Sequence, residues 1–223
     1  MEKETFLWYN VFYEILRNYE GRMGMEPVQK PEQEEKVPLA KALTLYLHDI
    51  IYLLSVMMVV LLLVFRVVVV SGTSMNMTLL DGDYLLLLSN TIYHEPKQGD
   101  IIVVSKDSFD NGAAFVKRVI ATEGQTVDID FAQGIVYVDG VALQEDYINN
   151  LTTTAGGVHF PLVVEDGCVF ALGDNRGISK DSRYPDIGQI DTREILGRAI
   201  FLMLPGTNKN TQTMDFGRIG VIG

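Results

Sequence analysis

Residues Ile50 to Val70 read IIYLLSVMMVVLLLVFRVVVV, a run of 21 residues with one charge, Arg66. At about 1.5 Å rise per residue, a helix of this length is roughly 32 Å long, enough to cross the hydrocarbon of a bilayer. A buried core helix is the alternative for the run, and a β-strand for Arg66 to Val70. Nearly fifty residues precede it, which argues against a cleaved N-terminal leader. Arg66 lies near the far end, where its head can reach the interface. Lys30, Lys36 and Lys41 precede the run, with Glu32, Glu34 and Glu35 among them. The positive-inside rule counts only the lysines and arginines, so it keeps the N-terminal side inside and exports the C-terminal side.

The expected division is therefore a cytoplasmic segment and linker over 1–48, a transmembrane helix over 49–70 and an exported domain over 71–223. Within the first part, Trp8, Phe12, Ile15 and Tyr19 fall at helical spacing, and Pro27, Pro31 and Pro38 mark the linker. The exported part has roughly 150 residues, enough for a sizeable core. Its texture is short apolar runs bounded by turn signals. Tyr84–Leu88 follows Asp81-Gly82-Asp83, Ile101–Val104 follows Gly99-Asp100, and Ile135–Val138 precedes Asp139-Gly140. Phe115–Ile120, Thr126–Ile129, Cys168–Leu172 and Ala199–Leu204 continue the pattern. Such a series predicts a mainly β domain, a sandwich or barrel.

Composition excludes some functions. A net charge of −11 is wrong for a nucleic-acid partner, which needs a basic surface. Cys168 is the single cysteine, so no internal disulfide or thiolate cluster forms. His48, His94 and His159 have no metal-ligand spacing, and no Gly-x-Ser-x-Gly elbow is present. No metal or cofactor is expected.

Ser74 follows the apolar run within four residues, and Lys117 lies 43 residues further on, in Phe115-Val116-Lys117-Arg118-Val119-Ile120. A neutral amine can activate a serine in place of an imidazole. With an ordinary pKa near 10.4, only about one lysine in several hundred is neutral near pH 8, so a basic lysine must be desolvated. Strand alternation puts Phe115, Lys117 and Val119 on one face and Val116, Arg118 and Ile120 on the other. On pattern alone, Lys117 and Arg118 read as edge-strand charges. A third cluster, Gly173-Asp174-Asn175-Arg176-Gly177-Ile178-Ser179-Lys180-Asp181-Ser182-Arg183, is dense in hydrogen-bonding groups.

Four segments in order carry a resemblance: Ser74-Met75-Asn76-Met77-Thr78-Leu79, Gln98-Gly99-Asp100-Ile101-Ile102-Val103, Phe115 to Ile120, and Gly173 to Arg183. Together, behind an N-terminal anchor, they resemble the type I signal peptidases, membrane-bound Ser-Lys proteases. The resemblance implies Ser74 as nucleophile, Lys117 as general base, Ser179 as a hydroxyl that orients the lysine amine, and Asp181 with Arg183 as supports of that loop. It implies a β-barrel or sandwich catalytic domain with a small inserted β subdomain, placed at about 128–170. It also implies secretory pre-proteins as substrates, bound extended beside the segments bearing Ser74 and Lys117. Met75, Phe115 and Val116 would be the contacts, and small residues would precede the cut. The enzyme would sit in the cell membrane as a single-pass protein, in contact with the lipid bilayer, its catalytic domain outside. The Ser74 N–H would be one oxyanion donor. Gly72 stands where some relatives have a second donor, a serine hydroxyl. Met77 stands where the family usually has proline. The alternative is an inactive relative that binds partners in secretion or surface assembly.

Overall fold

In the computed structural model the described residues are 39–207 and 213–222, so the expectations for 5–20 and for most of the linker lie outside them. The chain divides into two compact units, Met1–Leu53 and Leu54–Gly223. Helix α1, Leu39–Val64, runs through the boundary. Its stretch Leu43–Val64 has a mean hydropathy of 2.4 and is long and apolar enough to cross a membrane. Leu47, Leu54, Val59 and Leu62 are all exposed. An apolar helix whose side chains no described residue covers is suited to a lipid environment.

The helix ends at Val64, short of the 49–70 division, and the strand that the sequence offered as the alternative for Arg66 to Val70 forms. Residues Phe65–Val69 form strand β1 instead. β1 pairs antiparallel with β2, Tyr84–Ser89, which sets Arg66 opposite Leu87. Three consecutive valines, Val67 to Val69, favour a pleated strand once an edge is available. Arg66 is thus a strand residue and not the end of a membrane helix.

The rest is mainly β, as the turn-punctuated runs predict. The larger sheet adds β3 (Ile101–Val104), β4 (Phe115–Thr122), β9 (Cys168–Leu172), β10 (Ile190–Asp191), β11 (Ile195–Leu204) and β12 (Gly220–Val221). Its order is β1-β2-β11-β3-β4-β9-β10, with β12 on β11. The smaller sheet holds β5 (Thr126–Asp130), β6 (Ile135–Val138), β7 (Val141–Ala142) and β8 (Leu162–Val163), in the order β7-β6-β5-β8.

Three apolar clusters hold these sheets. Met75, Leu79, Leu85, Leu87, Val116 and Leu202 form the first, under β2 and β11. Ile120, Val127, Val136, Phe170 and Leu172 form the second and join the two sheets. There Phe160 meets Phe131 and Phe170 edge-on, each at 5.8 Å between centroids. Ile102, Val104, Val119, Val169 and Ile190 form the third. Burying one such side chain contributes about 1.5–3 kcal/mol. β4 feeds all three clusters because the larger sheet is covered on both faces there, and a bulge between Val119 and Ala121 resets its alternation. This is why β4 is apolar except at Lys117, Arg118 and its last residue, Thr122.

Candidate active site

Ser74 sits in the turn between β1 and β2. The turn is closed by Asn76 N–H donating to Thr73 O and Leu79 N–H to Met75 O, at 3.2 and 2.9 Å. It is pinned from beneath by Met75, only 1 % exposed, and Leu79, both in the first cluster. Met75 therefore anchors the turn and is not open to substrate, contrary to the expectation from sequence. Side chains beside a nucleophile in sequence need not share its face. Met77, at the family's proline position, is 71 % exposed.

Lys117 comes to Ser74 from β4, where it pairs with Ile102. It is 3 % exposed, and its Nζ donates to Ser74 Oγ at 3.0 Å and to Val116 O at 2.9 Å. The amine also lies 5.2 Å from the Phe115 ring centroid. Burial brings the Lys117 pKa down to about 8; nearby Asp181 and Asp174 push it up, and Arg183 lowers it further. An amine that titrates there is about half neutral at pH 8, roughly a hundred times more than an ordinary lysine.

The loop after β9 closes the site. Asn175 reaches the serine turn twice: its N–H donates to Ser74 O at 2.9 Å and its Nδ2 to Thr73 O at 3.1 Å. Gly173 packs against the same carbonyl. A Cβ there would overlap the Ser179 hydroxyl and come within 2.6 Å of Ser74 O. Only glycine fits. Asp181 and Arg183 are wholly buried. Arg183 Nε donates to Asp181 Oδ1 at 2.8 Å and Nη2 to Oδ2 at 2.9 Å, while Gly173 N–H donates to Oδ2 at 3.1 Å. Arg183 Nη2 also donates to the Arg176 and Ser179 carbonyls, at 2.9 and 3.2 Å. Ser179 is buried in this loop, but its hydroxyl donates to Lys180 O at 3.4 Å and not to the Lys117 amine, contrary to the role that the resemblance implies. The turn at Arg176–Ile178, closed by Ile178 and Ser179 N–H donating to Asn175 O at 3.2 and 3.0 Å, folds Ser179 back against Gly173.

Two further ion pairs went unassigned at the sequence level. Arg118 Nε and Nη2 donate to Asp174 at 2.9 and 2.8 Å. Arg176 Nη2 donates to Glu145 at 2.6 Å. Arg118, Asp174 and Arg176 all lie within the four segments that carry the resemblance, which was the available signal; nothing local marks Glu145. Among the described residues, no group of three or more His, Cys, Asp or Glu is placed to hold a metal ion.

A buried amine on a serine hydroxyl, each held by a separate element, is the geometry of a Ser-Lys hydrolase centre. The model of the family described as signal peptidase, peptidase S26, matches residues 43–204. The probable signal peptidase I-1 of Synechocystis sp. is 40% identical over 146 residues, 62% of this chain and 70% of that protein. Signal peptidase I of Bacillus amyloliquefaciens is 30% identical over 191 residues, 81% of this chain and 96% of that protein. A solved signal peptidase I from Enterococcus faecalis V583 is 32% identical, covers 47% of this chain and 96% of that one, and has a TM-score of 0.39. The chain belongs to the signal peptidase family, peptidase S26, and is a serine protease.

Proposed function

We propose that this chain is a membrane-anchored signal peptidase I in which Ser74 and Lys117 cut signal peptides from exported pre-proteins. The observation that carries the reading is the 3.0 Å contact between Lys117 Nζ and Ser74 Oγ, made by an amine that is 3 % exposed. Neutral Lys117 takes the Ser74 proton as Oγ bonds to the scissile carbonyl carbon. The resulting ammonium gives that proton to the departing amine, leaving an acyl-enzyme ester. Lys117, neutral again, takes a proton from water; the hydroxide attacks the ester and Ser74 recovers its proton. Asp181 and Arg183 hold the loop against which the pair rests.

The Ser74 N–H donates to no acceptor among the described residues, which leaves it for the oxyanion. Gly72 cannot act as a second donor, because it has no side chain and its N–H donates to Asp81 Oδ1 at 2.9 Å. A missing donor of this kind costs about 2.7–4 kcal/mol in other hydrolases.

Substrate adds as a strand along the start of β4. β9 stops at Leu172, opposite Arg118, so Phe115 to Lys117 have a strand neighbour only on the β3 side. An extended peptide fits there by β-augmentation, with half-buried Phe115 flanking it; Val116, expected from the sequence as a second contact, is buried with Met75 in the first cluster. Apolar Leu43–Val64 anchors the chain in the bilayer, and Lys30, Lys36 and Lys41 on its N-terminal side favour an inside N-terminus and an outside catalytic domain. Ser74 follows Val64 by ten residues, at most about 35 Å of extended chain. That length keeps the nucleophile within reach of a cut at the outer membrane face.

The test is cleavage of a pre-protein with an Ala-x-Ala site by the detergent-purified chain, with N-terminal sequencing of the product. Cleavage at that site by wild type, lost in folded Ser74→Ala and Lys117→Ala, is the expected result. A folded wild type that cuts no pre-protein up to about pH 9, where an amine with the Lys117 pKa is mostly neutral, would point to the inactive binding relative.

A further inference from the structure

We propose that Glu145 and Tyr147, in the segment between β7 and β8, are positioning residues for the Ser74–Lys117 pair, acting through the buried guanidiniums of Arg176 and Arg118. The inference rests on the peptidase reading above and extends its machinery into the second sheet.

Arg176 is the first link. Its side chain is fully buried, and that of Glu145 is 6 % exposed. Nη2 and Nη1 donate to the two Glu145 oxygens at 2.6 and 3.1 Å, and Nη1 also to Thr152 Oγ1 at 2.7 Å. The remaining donor, Nε, goes to Gly173 O at 3.0 Å. Gly173 is the residue with no room for a Cβ between Ser179 and Ser74 O. A planar guanidinium fixed on one side by a carboxylate fork therefore sets the carbonyl of the residue packed on the nucleophile.

Arg118, next to Lys117 on β4, is the second link. It grips Asp174 with two donors and gives Nη1 to Gly99 O at 2.9 Å. The Asp174 carboxylate also accepts from Thr78 Oγ1, four residues past Ser74. The outer face of the Arg118 guanidinium is covered by the Tyr147 ring, 4.0 Å from Cζ to centroid. Tyr147 Oη donates to Glu145 Oε1 at 3.2 Å, so one carboxylate and one ring form a single unit. Burial first, and then Glu145, push the Tyr147 hydroxyl up to about 12, so it stays a donor at any working pH. The same segment reaches the loop again through Asn149 N–H on Asp174 O, at 3.0 Å, and through Thr154 O, which accepts from Arg183 Nη1 at 3.0 Å.

The β7–β8 segment thus holds both residues that precede Asn175, the contact to the serine turn. A structural role alone would change stability and leave the chemistry of the folded enzyme intact. A positioning role changes kcat and the protonation of Lys117, whose amine faces Asp181, Asp174 and Arg183 and depends on exclusion of water.

The experiment measures kcat, KM and the pH profile of the detergent-purified full chain on a pre-protein, with melting curves alongside. Glu145→Gln is expected to lose about tenfold or more in kcat, the scale of a sub-ångström misplacement. Its KM stays within about twofold, and its rising pH limb moves upward as water reaches the amine. Glu145→Asp recovers part of the rate, Tyr147→Phe keeps the ring but loses its bond to Glu145 and falls between wild type and Tyr147→Leu, and Tyr147→Leu loses several-fold. Folded Glu145→Gln and Tyr147→Leu with wild-type kcat and pH profile would overturn the inference. Should Glu145→Gln fail to fold, Tyr147→Leu decides in the same way. An active wild type beside indifferent variants refutes this inference alone, whereas a wild type that cuts nothing refutes the peptidase reading with it.

Discussion

Replacing Lys117 by methionine should make the protein more stable below pH 8 and remove that advantage in alkali. The side chain is 3 % exposed and burial brings its amine from 10.5 down to about 8. Below pH 8 the amine is charged in both folded and unfolded chains, and the folded state carries the whole cost of burying it. Between about pH 8 and 10.5 the folded state binds fewer protons than the unfolded one, so wild-type stability rises with pH. A difference of about 2.5 units at 1.36 kcal/mol each is about 3 kcal/mol. Methionine has no such charge and similar length. Its lost hydrogen bonds to Ser74 and Val116, about 1 kcal/mol each, shift its curve by a constant. The gap between Lys117→Met and wild type should then be about 3 kcal/mol larger at pH 6.5 than at pH 10.5. Urea unfolding of the full chain in micelles, followed by far-ultraviolet circular dichroism, measures both curves. Parallel curves, with a gap constant to within about 0.5 kcal/mol, would refute a desolvated lysine.

The rest of the site gives separate expectations. Gly173→Ala should lower kcat by about a hundredfold, because its Cβ wedges between Ser179 and Ser74 O; steady-state kinetics on a pre-protein checks this. Asp181→Ala strips Arg183 of its buried partner and should cost about 3–5 kcal/mol in urea unfolding. Asp181→Asn, where folded, should move the rising limb of the pH profile to lower pH, since that carboxylate holds the Lys117 pKa up. Met75→Ala should cost about 2–5 kcal/mol of stability and leave the residue preference before the cut unchanged in a peptide-library assay.

How much of this was legible depended on whether the signal lay along the chain or across it. Ser74, Lys117 and the Gly173–Arg183 loop were legible through the four ordered segments that carry the family resemblance, since Lys117 on pattern alone read as an edge-strand charge; the structure brings all three together. The β texture was legible locally, each strand being bounded by its own turn. The end of α1 was legible only as two readings, helix to Val70 or strand from Arg66. Valine is as apolar in a membrane helix as in a strand, and only the free edge of β2 decides that Phe65–Val69 pair. Met75 was misplaced because adjacency to Ser74 says nothing about which way a turn residue points. The ion pairs were invisible for a different reason. Arg118 meets Asp174 across 56 residues, Arg176 meets Glu145 across 31, and Arg218 meets buried Asp83 across 135. No local pattern encodes such partners; the topology of the two sheets does.

The most direct test of a lysine base acting on Ser74 is the pH dependence of kcat/KM for pre-protein cleavage between about pH 6 and 10, which reports groups of the free enzyme. A single rising limb with its inflection near 8, absent in Lys117→Ala, is the expected result. An inflection near 6.5, the ordinary range of histidine, or a flat profile in an active wild type, would contradict it.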